Sequence, residues 1–215
     1  MPSWSTILSQ VQAVSNEGAE LNNIRVKYLS QISSITNRNV ISYYSCWLKT
    51  PGAPNSYVND QDMNAFMNAV HGLDKKKGLD LILHTPGGDL AATESLINYL
   101  RTIFSNDIRA IIPQISMSAG TIIALSCREI IMGKQSSLGP IDPQLGGVAC
   151  QSVLEEFETA VKEVTVNPAS AALWQVVFNK FNPTFITACK KSIEWSEKLM
   201  EDYIESVYGD RKSVV

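Results

Sequence analysis

The sequence predicts an α/β fold: a mainly parallel sheet flanked by helices, with a helical C-terminal region. Three observations carry that prediction. Short runs rich in β-branched and aromatic residues recur along the first two thirds of the chain, stretches of helical apolar period separate them, and the links are short. Alternation of this kind implies right-handed crossovers and parallel strands.

The elements follow in order. Residues 3–36 place Ile7, Val11, Val14, Leu21 and Ile24 at roughly helical spacing, which predicts N-terminal helices. Asn39 to Leu48 reads as a first strand, closed by a loop holding Pro51, Gly52 and Pro54. Asn59 or Asp60 then caps a helix with Met63, Phe66, Met67 and Val70 on one face, ending near Gly72. The cluster Asp74, Lys75, Lys76, Lys77 reads as a solvated loop face. A second strand runs from Leu79 to His84. Asp89 caps a helix that turns Leu96, Ile97, Leu100, Ile103 and Phe104 inward, and a third strand spans Ile108 to Ile115. Ser118 to Cys127 reads as a short buried helix, Glu129 to Gly133 as a fourth strand, and Ser136 to Gly147 as a Gly- and Pro-rich loop. Beyond it, Val153, Leu154, Phe157 and Val161 fit one helix. Phe185, Cys189, Ile193, Met200, Tyr203, Ile204 and Val207 trace a long amphipathic one, whose stripe, with Trp195, reads as core packing. This organisation divides the chain into an N-terminal helical segment, residues 1–37, and one domain, residues 38–215.

Composition narrows the function. A chain of 215 residues with 45% hydrophobic content can bury a proper core. Its 18 Lys and Arg against 21 Asp and Glu leave a formal charge of -3, so no basic field attracts nucleic acid. Cys46, Cys127, Cys150 and Cys189 form no CxxC pair, which argues against zinc; each reads as a buried reduced thiol, as in a reducing cytoplasm. The start, Met1 to Leu8, lacks the basic residues and apolar run of a signal peptide, and no window approaches the ~20 apolar residues of a membrane span.

The chemistry concentrates in two turns. His84-Thr85-Pro86-Gly87-Gly88 and Ser116-Met117-Ser118-Ala119-Gly120 both follow predicted strands, and in a parallel sheet ligands gather at the carboxyl ends of strands. A serine opening a helix there has the place of a nucleophile, and the Ala119 N–H can join that of Gly87 or Gly88 in an oxyanion hole. The bland alternative is that Ser116 or Ser118 only caps the helix and the glycines only make a turn. Neither GxxxxGK[ST] nor GxGxxG is present, so a nucleotide cradle is disfavoured.

These two turns and the downstream Leu138-Gly139-Pro140-Ile141-Asp142-Pro143-Gln144 resemble, over roughly residues 38–208, the serine dehydrogenase proteinase family. That family has the Clp-protease/crotonase-like fold of repeated β-β-α/βαβ units and is related to signal peptide peptidase A and the Clp proteolytic subunit. The resemblance implies a serine endopeptidase with Ser118 as nucleophile, backbone oxyanion donors at Gly87, Gly88 and Ala119, and no metal or organic cofactor. Signal peptide peptidase relatives use a downstream lysine as base, which singles out Lys162, with Lys134, Lys180, Lys190 and Lys191 as alternatives. The Clp-type triad lacks its histidine, because Asp142 stands at the matching position. Asp142 and His84 are accessory candidates, each also readable as a residue that shapes its turn. The partners so implied are a peptide or protein substrate, further copies in a homo-oligomer, and an unfoldase or other protein; a base from another subunit stays open. Two other classes remain: a catalytically silent peptide-binding or assembly protein of the same fold, and an acyl-CoA enzyme of crotonase type, which would need no serine at position 118.

Overall fold

A computed structural model describes residues 4–13, 18–50, 52–53 and 55–209 of the chain. The chain start through Ser3, Val14 of the N-terminal apolar pattern, Pro51 and Pro54 of the first loop, and Val215 lie outside the described residues.

Two helices open the fold, α1 (Trp4–Ala13) and α2 (Gly18–Thr36), and lead into strand β1 (Asn39–Tyr44). Helix α3 (Gln61–Val70) connects to β2 (Leu79–His84), and α4 (Leu90–Phe104) connects β2 to β3 (Ile108–Ile112). A short strand β4 (Ile115–Ser116) precedes α5 (Ala119–Leu125) and β5 (Glu129–Met132). The small strands β6 (Ser137–Leu138), β7 (Gln144–Leu145) and β8 (Val148–Ala149) lead to α6 (Cys150–Val166), α7 (Ala171–Phe178) and α8 (Phe185–Tyr208).

The main sheet has the order β1-β2-β3-β5 with every neighbouring pair parallel. Its central strand β2 is covered on both faces, which explains the nearly unbroken apolar run from Leu79 to Leu83. Against it pack Leu96, Ile97, Leu100 and Phe104 of α4 and Ile122 and Ile123 of α5, the inward faces expected from helical period. Asp80, 0% exposed, interrupts this core. It accepts hydrogen bonds from Arg38 Nε (2.7 Å) and from Arg109 Nε and Nη2 (2.8 Å each), so the residue ahead of β1, β2 and β3 meet on one carboxylate. Burial alone would raise its pKa, but the bonds from Arg109 and Arg38 outweigh it and hold the group below the usual carboxylate value.

Two strand boundaries differ from the sequence expectation, and the helical C-terminal region holds one further helix. The first strand stops at Tyr44 and not Leu48, because residues 47–49 form a turn; Cys46 is therefore exposed, while Cys127, Cys150 and Cys189 are buried. The expected single strand from Ile108 to Ile115 is two. Pro113 offers no N–H to a ladder, the chain bends there, and β4 leaves the main sheet to pair with β6. Within the C-terminal region, α6 is followed by the separate helix α7, entered through Pro168 and the Asn167 side chain, which accepts the Ala169 N–H. Asp89 caps α4 as expected, accepting the Ala92 N–H at 2.8 Å. Among the described residues, no helix is long and apolar enough to cross a membrane.

Candidate active site

The three sequence motifs meet because backbone hydrogen bonds tie their turns together. Thr85 bridges to Ser116, and the Met117 N–H donates to the Thr85 carbonyl at 2.9 Å. The Gly139 N–H donates to the Ser116 carbonyl at 2.9 Å, and Thr121 Oγ1 donates to the Gly139 carbonyl at 2.8 Å. Detaching β4 from the main sheet is what brings the Leu138 to Gln144 segment alongside the serine turn.

Ser118 sits at φ 49 and ψ -116, immediately before α5. The Gly120 N–H closes a turn on the Met117 carbonyl at 2.8 Å, so Ser118 occupies the first central position in the geometry of a type II′ turn, where glycine is ordinary and an L-residue is strained. Such a turn lifts the side chain away from both strand and helix, and Ser118 lines an open cleft of about 550 Å³. Ser116 does not: it is 0% exposed, its Oγ has no hydrogen-bond partner among the described residues, and a Cβ on Gly120 would strike it.

Gly87 and Gly88 do different jobs. Gly87 has φ +96, and a Cβ there would lie 2.8 Å from the Met117 carbonyl oxygen and from Ser118 Cβ, and 2.9 Å from the Ala119 nitrogen. Its bareness lets the two turns touch. Its own N–H donates to Thr85 Oγ1 at 3.1 Å. Gly88 is held from its other side by Val58, whose N–H donates to the Gly87 carbonyl and whose carbonyl accepts the Asp89 N–H, both at 2.9 Å. Among the described residues, the N–H groups of Gly88 and of Ala119, the first residue of α5, donate to no backbone or side-chain acceptor. Both residues line the cleft with Ser118.

The remaining candidates are distributed unevenly. Asp142 lines the cleft, and its Oδ1 is shielded from solvent without a hydrogen-bond partner among the described residues. His84 does not line it: the residue is 4% exposed and its ring is stacked on Tyr44 at 4.8 Å between centroids. Burial holds its pKa below the ordinary value, while a hydrogen bond with the Ile115 backbone opposes the shift. Lys162 is exposed on α6 and borders a separate groove with Phe157, Val161 and Lys190. Lys134, Lys180 and Lys191 are likewise exposed. No lysine, arginine or histidine among the described residues lines the Ser118 cleft.

Sequence reading missed four cleft-lining residues from two elements. Tyr57, next to Val58, borders the cleft from the first loop, and Ser192, Trp195 and Ser196 border it from α8. Trp195 is 41% exposed and so departs from the core role expected for its stripe, whereas Leu199 and Tyr203 on the same helix do join the main core.

A family model described as ClpP-like SDH-type serine proteinase matches residues 17–170. Among curated proteins, the chain is 28% identical over 215 residues to the uncharacterized protein MJ0137 of Methanocaldococcus jannaschii, covering 98% of this chain and 70% of that protein. It is 29% identical over 157 residues to the uncharacterized protein MJ1495 of the same organism, covering 73% of this chain but only 49%, about half, of the relative.

Proposed function

Because the chain belongs to the ClpP-like SDH-type serine proteinase family, we propose that it cleaves peptide bonds through an acyl-enzyme on Ser118. The observation that carries this reading is the strained Ser118 turn opening on a cleft beside the two undonated N–H groups of Gly88 and Ala119. Ser118 Oγ attacks the peptide carbonyl carbon as its proton passes to a base. Negative charge grows on the carbonyl oxygen, where two backbone donors stabilise it more than they stabilise the neutral substrate. Collapse expels the amine, which takes up a proton, and water then attacks the ester and releases Ser118.

Gly87 serves this scheme by close approach and not as a donor, since its N–H is already engaged. Lys162 is left out of the machinery, because its groove is separate from the Ser118 cleft. The absence of a basic side chain among the described lining residues favours a second reading, a peptide-binding protein with a silent site. We also propose a homo-oligomer, supported by the exposed apolar residues Val161 and Val166 on α6 and Leu173 and Val176 on α7.

Fluorophosphonate labelling followed by intact-mass and peptide mapping tests the reading. The adduct is expected on Ser118, lost in Ser118→Ala and retained in Ser116→Ala and Lys162→Met. Labelling of Ser116 would overturn the assignment. No adduct on folded protein would favour the silent site, and a large rate loss in Lys162→Met would bring that lysine back as a base delivered across copies.

A further inference from the structure

The Ser118 cleft has a mixed polar and apolar lining and is one-signed in charge. Leu90, Ile122, Leu145 and Trp195 supply much of the wall, and the only charged side chains among the described lining residues are Asp89 and Asp142. Asp89 is engaged, since its carboxylate caps α4. Asp142 is not: its Oδ1 is hidden from solvent and accepts no hydrogen bond, and no lysine or arginine among the described residues forms an ion pair with it. Its neighbour at the start of α6 cannot compensate it. The Cys150 thiol stays neutral, pushed up to about 12 by burial first, then by Cys189 and by Asp142 itself. Asp142 as a whole is half-buried, and its one hidden oxygen lacks a donor that a cation reaching it would supply.

We infer that the cleft takes a cationic substrate side chain, Lys or Arg, whose charged end docks on Asp142 while its methylene stem lies along the apolar wall. A long aliphatic stem with a terminal charge is the side-chain type that matches apolar wall residues beside a half-buried, unpaired carboxylate. The lysine ammonium or arginine guanidinium brings donors to the oxygen that lacks one, and nearby Ser192 and Gln144 offer neutral hydrogen-bonding groups at the same cleft. An acidic side chain would meet Asp89 and Asp142 and be rejected.

This inference rests on the cleft being where the proposed peptidase holds its peptide, so binding is measured without requiring catalysis. Ser118→Ala protein is titrated into two hexapeptides carrying a neutral dye, identical except for a central lysine or norleucine, and fluorescence anisotropy is recorded. Norleucine keeps the stem and removes the charge. The lysine peptide should bind roughly ten- to a hundredfold more tightly, the range expected for a hydrogen bond to a charged group. Adding Asp142→Asn should bring the ratio close to one, and Asp142→Glu should keep a preference for lysine. Equal binding of the two peptides by Ser118→Ala protein would overturn the inference, as would a ratio that survives Asp142→Asn. Failure of the peptidase reading appears separately, as absent fluorophosphonate labelling of the unmutated serine beside an intact lysine preference.

Discussion

At the scale of single residues, the informative positions are those where backbone geometry and residue type disagree. Ser118 holds a conformation suited to glycine, and side chains there are strained by about 1–3 kcal/mol. Both Ser118→Ala and Ser118→Gly remove the hydroxyl, but only glycine relaxes the turn. Ser118→Gly should therefore be more stable than Ser118→Ala by about 1 kcal/mol in urea unfolding, after glycine's larger unfolded-state entropy is offset. Equal midpoints would remove strain from the description of this turn. His84 makes a second, pH-linked prediction. Its folded pKa lies below its ordinary value of 6.5, so the unfolded chain takes the proton first. The stabilisation is complete above 6.5 and drains as pH falls from there towards the folded value. Unfolding midpoints between pH 7.5 and 5.5 should fall more steeply for the wild type than for His84→Gln; parallel slopes would refute a buried neutral imidazole. Pro-Gly-Gly and Ser-Ala-Gly after strands read equally well as a turn and a helix cap, so Ser118 and its glycine neighbours stood out only through the three ordered motifs that resemble the family. The residue pattern did not separate Gly87 from Gly88, since which N–H stays undonated depends on Thr85 and on Val58, some thirty residues upstream.

At the scale of elements, the alternating pattern placed β2, α4, α5, β5 and α8 correctly, because each has either a continuous apolar run or a clean helical face. Three features escaped it. Pro113 ends β3, but only the pairing of β4 with β6 shows that the residues after it join a different sheet. Trp195 sits on the same helix as Leu199 and Tyr203, yet it borders the cleft while they join the core, a distinction that helical period cannot make. The Asp80 carboxylate, buried in an otherwise apolar strand, was likewise silent in sequence, because its partners come from ahead of β1 and from β3. Replacing Asp80 by Asn leaves two guanidinium groups facing a weaker acceptor, and Arg38 keeps Asp107 at 2.9 Å. The loss should be about 2–3 kcal/mol, below the usual figure for an unpaired buried charge because Arg38 keeps Asp107 and Arg109 keeps a longer contact with Glu129 at 4.0 Å. Since the folded pKa of Asp80 is lowered, its contribution is fully present above the unfolded value near 4 and disappears as pH falls through the folded one. The stability gap between wild type and Asp80→Asn should thus be constant from pH 7 to about 5 and narrow in stronger acid. A gap that widens on acidification would mean the carboxylate is not held in its charged form by Arg38 and Arg109.

At the scale of the whole molecule, the apolar surface is divided between a buried core and an uncovered remainder. The core gathers around β2, β3, α4 and α5, and a second, smaller cluster of Cys150, Val153 and Cys189 joins α6 to α8. Outside both, Val166 is 87% exposed, Leu173 74% and Val176 65%. One exposed apolar side chain is ordinary, but several on consecutive helices cost solvation that a contact between copies removes. The same stretch includes Phe157 and Val161, which border the groove holding Lys162, so a second copy seated there would also cover that lysine. Light scattering at tens of micromolar protein should give a mass above that of a single chain. The double substitution Leu173→Asp with Val176→Asp should shift it towards the monomer, because two desolvated carboxylates at a contact outweigh the apolar area gained. Neither residue lines the Ser118 cleft, so a monomeric variant also asks whether assembly matters to the serine. If fluorophosphonate labelling persists in the monomer, the activated state of Ser118 belongs to one chain; if it disappears with the far-UV spectrum unchanged, a group from a neighbouring copy completes the site. A wild type that is monomeric throughout this range would sink the interface and leave the α6 and α7 surface to a different kind of partner.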